Sequence, residues 1–253
     1  LQGCCVQIRT FLMKRLQPLG EHARDCGRRD HHLVFRKHRR QEFRRRLDEV
    51  RPGVVLESEG AVPLERIYDH HASWAQHFDD SKVPGVLRHK WLERRHMQHQ
   101  IRRWLYDHSG ELHVAWMNGS GMMVWENVFG SWVGWCQRDR TTLRTMWAIQ
   151  RRFAELWQTE HWTPLVPTLQ PDVYASLWED QGVRLWTLVN RSARQIEGPL
   201  LAAEPAARDG LYDLVAGSQA ASGDTVVGSL SARGIGCFVA ADPRALGTDF
   251  PPF

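Results

Sequence analysis

The spacing of hydrophobic residues changes once along the chain, near three closely spaced prolines, Pro164, Pro167 and Pro171. Before them, short apolar runs alternate with stretches in which apolar residues recur every three or four positions, the pattern of strands alternating with helices. After them, apolar and polar residues alternate with a period of two, which is typical of half-buried antiparallel strands. The pattern therefore predicts two structurally different parts.

The first part reads as strand, helix, strand, helix, strand, helix. Predicted strands are "VVLESE" (54–59), "PGVLRHKW" (84–91) and "GMMVWE" (121–126). Helical spacing is seen over residues 43–50, 67–78, 97–108 (which Gly110 would end) and 143–156 (which Asp139 would open). Because these strands are mostly apolar on both faces, we expect a parallel sheet packed under helices. A complete (β/α) barrel takes about 250 residues, so three or four units predict a partial one.

The second part predicts a small antiparallel β-sandwich over residues 170–242. "VYASLW" and "VRLWTLVN" flank a four-residue hairpin loop, 179–182, that ends in glycine. The expected fold class is α/β: a partial (β/α) TIM-like barrel over 39–162, followed by the sandwich. Residues 1–38 are expected to be an ill-ordered basic leader, and residues 243–253 a tail or linker.

Composition narrows the class of protein. The chain has 253 residues, 42% hydrophobic and 25% charged, which is ordinary for a globular protein. Arginines crowd residues 24–46, but few aromatic residues interleave with them, so a solvated helix face or flexible segment is favoured and nucleic acid is not expected. No apolar run is long enough for a membrane span. Five scattered cysteines indicate no disulfide framework, so cytoplasmic localisation is expected.

Glutamates lie where strand ends are predicted. Alternation puts Glu57 and Glu59 on one face of the first strand, and Glu59 directly precedes Gly60; Glu126 ends the third strand. Ligand sites of parallel barrels form at the carboxyl ends of the strands, so we expect Glu59 and Glu126 to be catalytic. Two carboxylates flanking a glycosidic bond serve as proton donor and as nucleophile or base. A solvated strand end or an ion pair with arginine is the alternative for either glutamate alone.

Tryptophan is abundant, with twelve residues. Indole rings stack on the C–H faces of sugars, while amide and carboxylate groups bind the hydroxyls. The residues expected to bind substrate are Glu57, Trp74, Asn118, Trp125, Asn127 and Trp132. His96 and His99 would lie three apart on a helix, but nothing completes a ligand set, so neither a metal nor a cofactor is expected.

Four segments, "PGVVLESEGAVPLERIYDHHASWAQ", "GMMVWENVFGSWVGWCQRD", "AIQRRF" and "VYASLWEDQGVRLWTLVNRS", together resemble the C-terminal half of bacterial glycoside-hydrolase-like proteins. The resemblance covers about residues 40 to 240 and implies the last strands of a TIM barrel followed by a β-sandwich. It also implies that the acid/base and the nucleophile are Glu59 and Glu126. The first barrel half is not in this chain, and some related bacterial chains carry a further enzymatic domain after the sandwich.

Two hypotheses of different classes follow. In the first, the chain cleaves glycosidic bonds, or is an inactive fragment that descends from an enzyme that does. In the second, it is a non-catalytic carbohydrate-binding or scaffold module. Carbohydrate is the expected partner in both, together with a downstream domain or the missing N-terminal barrel half, and no membrane partner is expected.

Overall fold

The computed structural model describes residues 45–75, 81–102, 105–124, 134–203, 209–221, 223–248 and 250. The chain divides into two compact units between Val50 and Arg51. In the first unit, residues 45–50 are helical (α1). The predicted boundary between leader and barrel, at 38/39, lies outside the described residues. The second unit begins at Arg51 and contains all strands of the described residues.

The first half of this unit contains a parallel sheet whose spatial order follows the chain. Its strands are β1 (Glu57–Ser58), β2 (Ala72–Ala75) and β3 (Met97–Gln100), in the order β1-β2-β3. Met122 extends the sheet through an isolated parallel bridge to Gln100. Helical segments lie between and after these strands: a 3-10 turn (Leu64–Asp69), α2 (Arg88–Leu92), α3 (Ser109–Met117) and α4 (Gln137–Arg152). Consecutive parallel neighbours joined through helices match the predicted αβ organisation, and this sheet does not close within the described residues.

Several predicted elements in this half are wrong. The "PGVLRHKW" segment contains the helix α2, and residues 97–108, predicted as a helix, begin with strand β3. The helical spacing over 67–78 spans the end of a 3-10 turn and strand β2. Gly110 does not end a helix but lies in the first turn of α3.

The second half is antiparallel, as the period-two pattern predicts. Eight strands follow: β4 (Trp162–Val166), β5 (Val173–Asp180), β6 (Val183–Asn190), β7 (Ile196–Ala202), β8 (Gly210–Asp213), β9 (Ser218–Gln219), β10 (Thr225–Leu230) and β11 (Ile235–Ala241). Six form one sheet in the order β4-β5-β6-β11-β8-β9, and β7 pairs with β10 in a second. Asp180 pairs with Val183, so the β5–β6 hairpin has a two-residue loop, 181–182, and the predicted four-residue loop over 179–182 is too long. Gln181 and Gly182 have positive φ values of 46° and 79°, as such a tight turn requires.

The six-stranded sheet has an apolar cluster on each face. One face packs against β7 and β10 through buried residues that include Leu188, Leu200 and Phe238. The other packs against α3 and α4 through a second cluster, in which the indole nitrogen of Trp116 donates to the Gly236 carbonyl at 2.9 Å. The long antiparallel sheet therefore holds α3 in place, and α3 in turn fixes the edge of the parallel sheet.

Among the described residues no helix is long and apolar enough to cross a membrane. A 3-10 turn, Pro243–Leu246, follows β11, in the stretch predicted to be a tail. Its Asp242 cap accepts a bond from the Arg244 amide at 2.9 Å, and Leu246 is buried, so this part of the tail packs on the fold.

Candidate active site

Three side chains occupy equivalent positions at the carboxyl ends of the parallel strands. Glu57, Trp74 and His99 are each the next-to-last residue of β1, β2 and β3. Trp74 and His99 are register partners, and Glu57 pairs with Ala72, two residues before Trp74. Register partners in a parallel sheet share a face, so the pairing brings the three side chains together on one face.

The carboxylate of Glu57 is bonded from two sides. The indole nitrogen of Trp74 donates to its Oε1 at 2.7 Å. The Nδ1 of His99 lies 2.9 Å from the same oxygen. The side chains of Glu57 and His99 are 26% and 27% exposed, so the group is open to solvent on one side. A partly exposed carboxylate held by two nitrogens at the carboxyl end of a parallel sheet is suited to bind and react with a ligand.

Gly121 provides the space for the His99 ring. The bridge between Gln100 and Met122 sets Gly121 beside His99 in the neighbouring segment. A Cβ at residue 121 would lie 2.6 Å from Cδ2 and 3.1 Å from Nε2 of His99, and 3.4 Å from Sδ of Met97. Only glycine leaves the imidazole where it is.

The opposite face of the sheet is a structural network. His96 is buried; its Nε2 lies 2.8 Å from the Ser73 hydroxyl and its Nδ1 lies 3.1 Å from the His70 carbonyl. Burial is the largest of the effects that lower the pKa of His96. Because residues three apart in a strand lie on opposite faces, His96 and His99 do not converge on one ligand. Within the described ranges, no three His, Cys, Asp or Glu side chains come together as a metal site.

A second polar cluster lies where α3 and α4 begin. Asp139 accepts from the His108 backbone amide at 2.6 Å and from Nε of Arg138 at 2.8 Å. His108 Nδ1 lies 3.2 Å from Oε1 of Glu111, with both side chains fully buried. The network ties the two helix starts to each other. The sequence pattern predicted His108 as one member of a helical face and gave no signal for Glu111.

Asp107 belongs to the same network. It accepts from the Ser109 amide at 2.9 Å and from Nη2 of Arg138 at 2.7 Å. Partial burial acts to raise the pKa of Asp107, but the bonds from Ser109 and the charge of Arg138 outweigh it and hold the pKa below its usual value. Asp107 is therefore a charged anchor at the start of α3.

The remaining residues singled out in the sequence lie elsewhere. Glu59 is exposed, one residue beyond the end of β1. Asn118 is 1% exposed and ends α3; its Oδ1 accepts from the Leu87 amide and its Nδ2 donates to the carbonyls of Gly85 and Val114, each at 2.8 Å. These bonds engage both ends of the amide within the fold.

Glu126, Trp125, Asn127 and Trp132 lie outside the described residues. Met122 shares the buried face of Gln100, opposite the face of Glu57. Strand alternation counted from Met122 thus does not by itself bring Glu126 to Glu57.

No protein-family model matches the chain, and no curated protein matches it in sequence. Solved structures give low-identity likenesses to glycoside hydrolases. One is an Anoxybacillus alpha-amylase, with a TM-score of 0.49 at 12% identity, covering 80% of this chain and 55% of that one. Another is a GH27 β-L-arabinopyranosidase from Geobacillus stearothermophilus, with 0.48 at 13% identity, covering 80% and 53%. A third is a putative alpha-galactosidase from Bacteroides fragilis, with 0.46 at 10% identity, covering 74% and 47%.

The chain thus spans about half the length of each of these structures. At such scores and identities the likeness concerns the fold only coarsely.

Proposed function

We propose that the chain is a glycoside-hydrolase-like protein whose site, on the face of Glu57, binds carbohydrate and cleaves a glycosidic bond. The observation that carries this proposal is the Glu57 carboxylate, held by Trp74 and His99 at the carboxyl end of the parallel sheet and partly open to solvent. We also infer that the parallel half corresponds to the last strands of a (β/α) barrel and the antiparallel half to a β-sandwich.

The chemistry needs a carboxylate and a surface for a sugar ring. Trp74 provides an aromatic group beside Glu57, and indoles stack on the C–H faces of sugars. Glu57 would act as nucleophile or base, and a second carboxylate would donate the proton to the leaving oxygen. Glu126, which the sequence places at the next strand end, is proposed as that second group, with Glu59 at the rim as the other candidate.

Contacts to the sugar are proposed for three residues of the segment that contains Glu126: stacking for Trp125 and Trp132, and hydroxyl binding for Asn127. Asn118 is left out of the proposed site, because its amide is engaged by the backbone of residues 85, 87 and 114. Cytoplasmic localisation is kept as a prediction, and it agrees with the two described cysteines, Cys136 and Cys237, being free thiols.

In the test, the full chain is incubated with a panel of aryl glycosides of both anomeric configurations. Hydrolysis is measured as release of the phenolate. In parallel, oligosaccharide binding is followed by titration calorimetry. We expect hydrolysis of at least one glycoside. Binding without turnover would favour the non-catalytic module, and absence of both would refute a carbohydrate function.

A further inference from the structure

We propose that His99 is a positioning residue, which together with Trp74 fixes Oε1 of Glu57 and leaves Oε2 as the oxygen that meets the substrate. This inference rests on the proposed function, because it assigns roles within the same site. It follows from the direction of the hydrogen bonds, from the geometry of the sheet and from the space that Gly121 provides.

The direction of the bonds follows from the chemistry of the partners. An indole N–H can only donate, so Oε1 of Glu57 is an acceptor toward Trp74. An ionised carboxylate has no proton to give, so Nδ1 of His99, on the same oxygen, must carry the hydrogen. Two donors thus converge on Oε1. Within the part of the chain that the structure describes, no donor lies on Oε2 of Glu57.

The sheet makes this arrangement rigid. Glu57 lies on β1 and its two donors lie on β2 and β3, which are paired in register over four residues. A carboxylate bonded through a single oxygen to two such strands has little freedom to rotate. The remaining oxygen therefore has a defined direction, which is what in-line attack on an anomeric carbon requires.

Gly121 also contributes to this arrangement, because it leaves room for the His99 ring. Any side chain at residue 121 would come within 2.6 Å of the imidazole and displace it from Glu57. The substitution Gly121→Ala therefore perturbs the His99–Glu57 bond without changing either partner. Gly85→Ala is the matched control, since a Cβ at residue 85 has nothing within 4 Å.

Substitutions at residue 99 distinguish positioning from general packing. Asn places an N–H donor near the position of Nδ1, Gln reaches toward the position of Nε2, and Ala provides neither. We expect H99A and H99Q to lower kcat by ~10-fold to 100-fold with KM within ~3-fold of wild type, and H99N to recover most of the loss. G121A should behave like H99A, and G85A like wild type. A structural role alone would make H99N as poor as H99A.

A second readout does not depend on turnover. The indole N–H of Trp74, assigned through W74F in ¹H–¹⁵N spectra of the full chain, reports on its bond to Oε1 of Glu57. We expect its resonance to shift in H99A and G121A but not in G85A. Shifts together with an inactive wild type would leave the positioning geometry in place and refute the proposed function. An unshifted resonance in both variants, or equal activity of H99A and wild type, would overturn the role of His99.

Discussion

The indole nitrogen of Trp74 donates to Oε1 of Glu57 over 2.7 Å, across two parallel strands. This bond favours Glu57 over Glu59 as the candidate catalytic carboxylate. The sequence favoured Glu59 as catalytic because it directly precedes a glycine, and treated Glu57 as a substrate ligand. In the structure β1 ends at Ser58, so Glu57 has the position at the sheet end and Glu59 lies beyond it.

The two roles proposed for Trp74, the hydrogen bond to Glu57 and stacking on a sugar ring, can be separated by substitution. Phe keeps an aromatic face for a sugar ring but lacks the donor to Glu57, while Ala lacks both. We expect W74F to lower kcat by ~10-fold with little change in KM, because one hydrogen bond to a charged group is lost. W74A should in addition raise KM, since stacking is lost. Steady-state kinetics on the preferred glycoside measure both, and equal effects of the two variants on KM would contradict the stacking role.

Asn118 is expected to stabilise the fold rather than to bind ligand. Its side chain, which is 1% exposed, joins the end of α3 to the backbone of residues 85–87 through partly buried hydrogen bonds. Asn118→Ala removes the partners of the Leu87 amide and the Gly85 carbonyl, and we expect a loss of ~1–2 kcal/mol in the free energy of unfolding. Urea denaturation followed by circular dichroism measures it. Unchanged stability combined with weaker oligosaccharide binding would instead support the ligand role predicted from the sequence.

His113 gives the stability a defined pH dependence. Burial, together with the charge of Arg191, lowers its pKa from 6.5 to about 3. Its Nε2 donates to the Arg233 carbonyl at 3.0 Å. Since the folded state resists a proton that the unfolded chain binds, the contribution of neutral His113 is complete above pH 6.5 and is lost as the pH falls toward 3. One proton corresponds to a slope of about 1.4 kcal/mol per pH unit.

The measurement compares wild type with H113N by urea denaturation at pH 4.5 to 7.5. Other groups titrate in both proteins, so the difference between the two slopes isolates His113. We expect the variant to be less stable at neutral pH and its stability to fall less steeply on acidification. Parallel curves would show that His113 takes up its proton in the folded state.

Gly119 is required for both its backbone and its surroundings. It follows α3 with φ of +56°, and a Cβ there would lie 2.9 Å from Cε3 of Trp157. Gly182, in the β5–β6 hairpin, has φ of +79° but no atom within 4 Å of its Cβ position. We expect Gly182→Ala to cost about 1 kcal/mol of strain, and Gly119→Ala to cost ~1–3 kcal/mol more through overpacking. Thermal unfolding of both variants measures the two losses of stability. Equal losses would show that the Trp157 ring does not crowd a Cβ at residue 119.

Helix α4 could be predicted because it buries one side only. Its single apolar face is formed by residues such as Leu143, Met146 and Ile149, so the period of the sequence is the period of the packing. The β5–β6 hairpin was indicated by its glycine-containing turn between two apolar segments, although its sheet is packed on both faces. The same signal is absent where an element is buried on every side.

Helix α3 illustrates that limit. All nine of its residues are buried, polar ones such as Glu111 and His113 included, so no face stands out in its sequence. Strand β3 could not be recognised from the sequence for a related reason. Its buried positions hold the polar residues Gln98 and Gln100, and Nε2 of Gln100 donates to the Gln98 carbonyl at 3.2 Å. Apolar spacing cannot report polar residues that pair inside the core.

Helix α2 was missed because its buried residue is a lysine. Lys90 is 3% exposed and donates to the Trp157 carbonyl at 2.9 Å. Burial, with a contribution from the nearby Arg94, lowers the pKa of Lys90 to about 8. A contact of this kind joins residues 67 positions apart, and nothing in the local sequence indicates it.

The sequence singled out two residues of the candidate site but not their arrangement. Alternation put Glu57 on the same face as Glu59, and Trp74 was selected for its chemistry. His99 was considered only as one of a metal-binding pair on a helix, because its position became meaningful only once β2 and β3 were known to pair in register. Where a strand ends depends on its partners, and this is why Glu57 and Glu59 could not be distinguished from the sequence.

The most direct test of the central claim is kcat/KM of Glu57→Gln on the glycoside that the wild type hydrolyses. Gln keeps the shape and an acceptor for Trp74 but removes the charge, while Glu65→Gln, at an exposed position in the 3-10 turn after β1, is the matched control. We predict a loss of ~100-fold or more for E57Q, with oligosaccharide binding largely kept, and values within ~2-fold of wild type for E65Q. Full activity of E57Q would contradict the assignment of Glu57 as the reactive carboxylate.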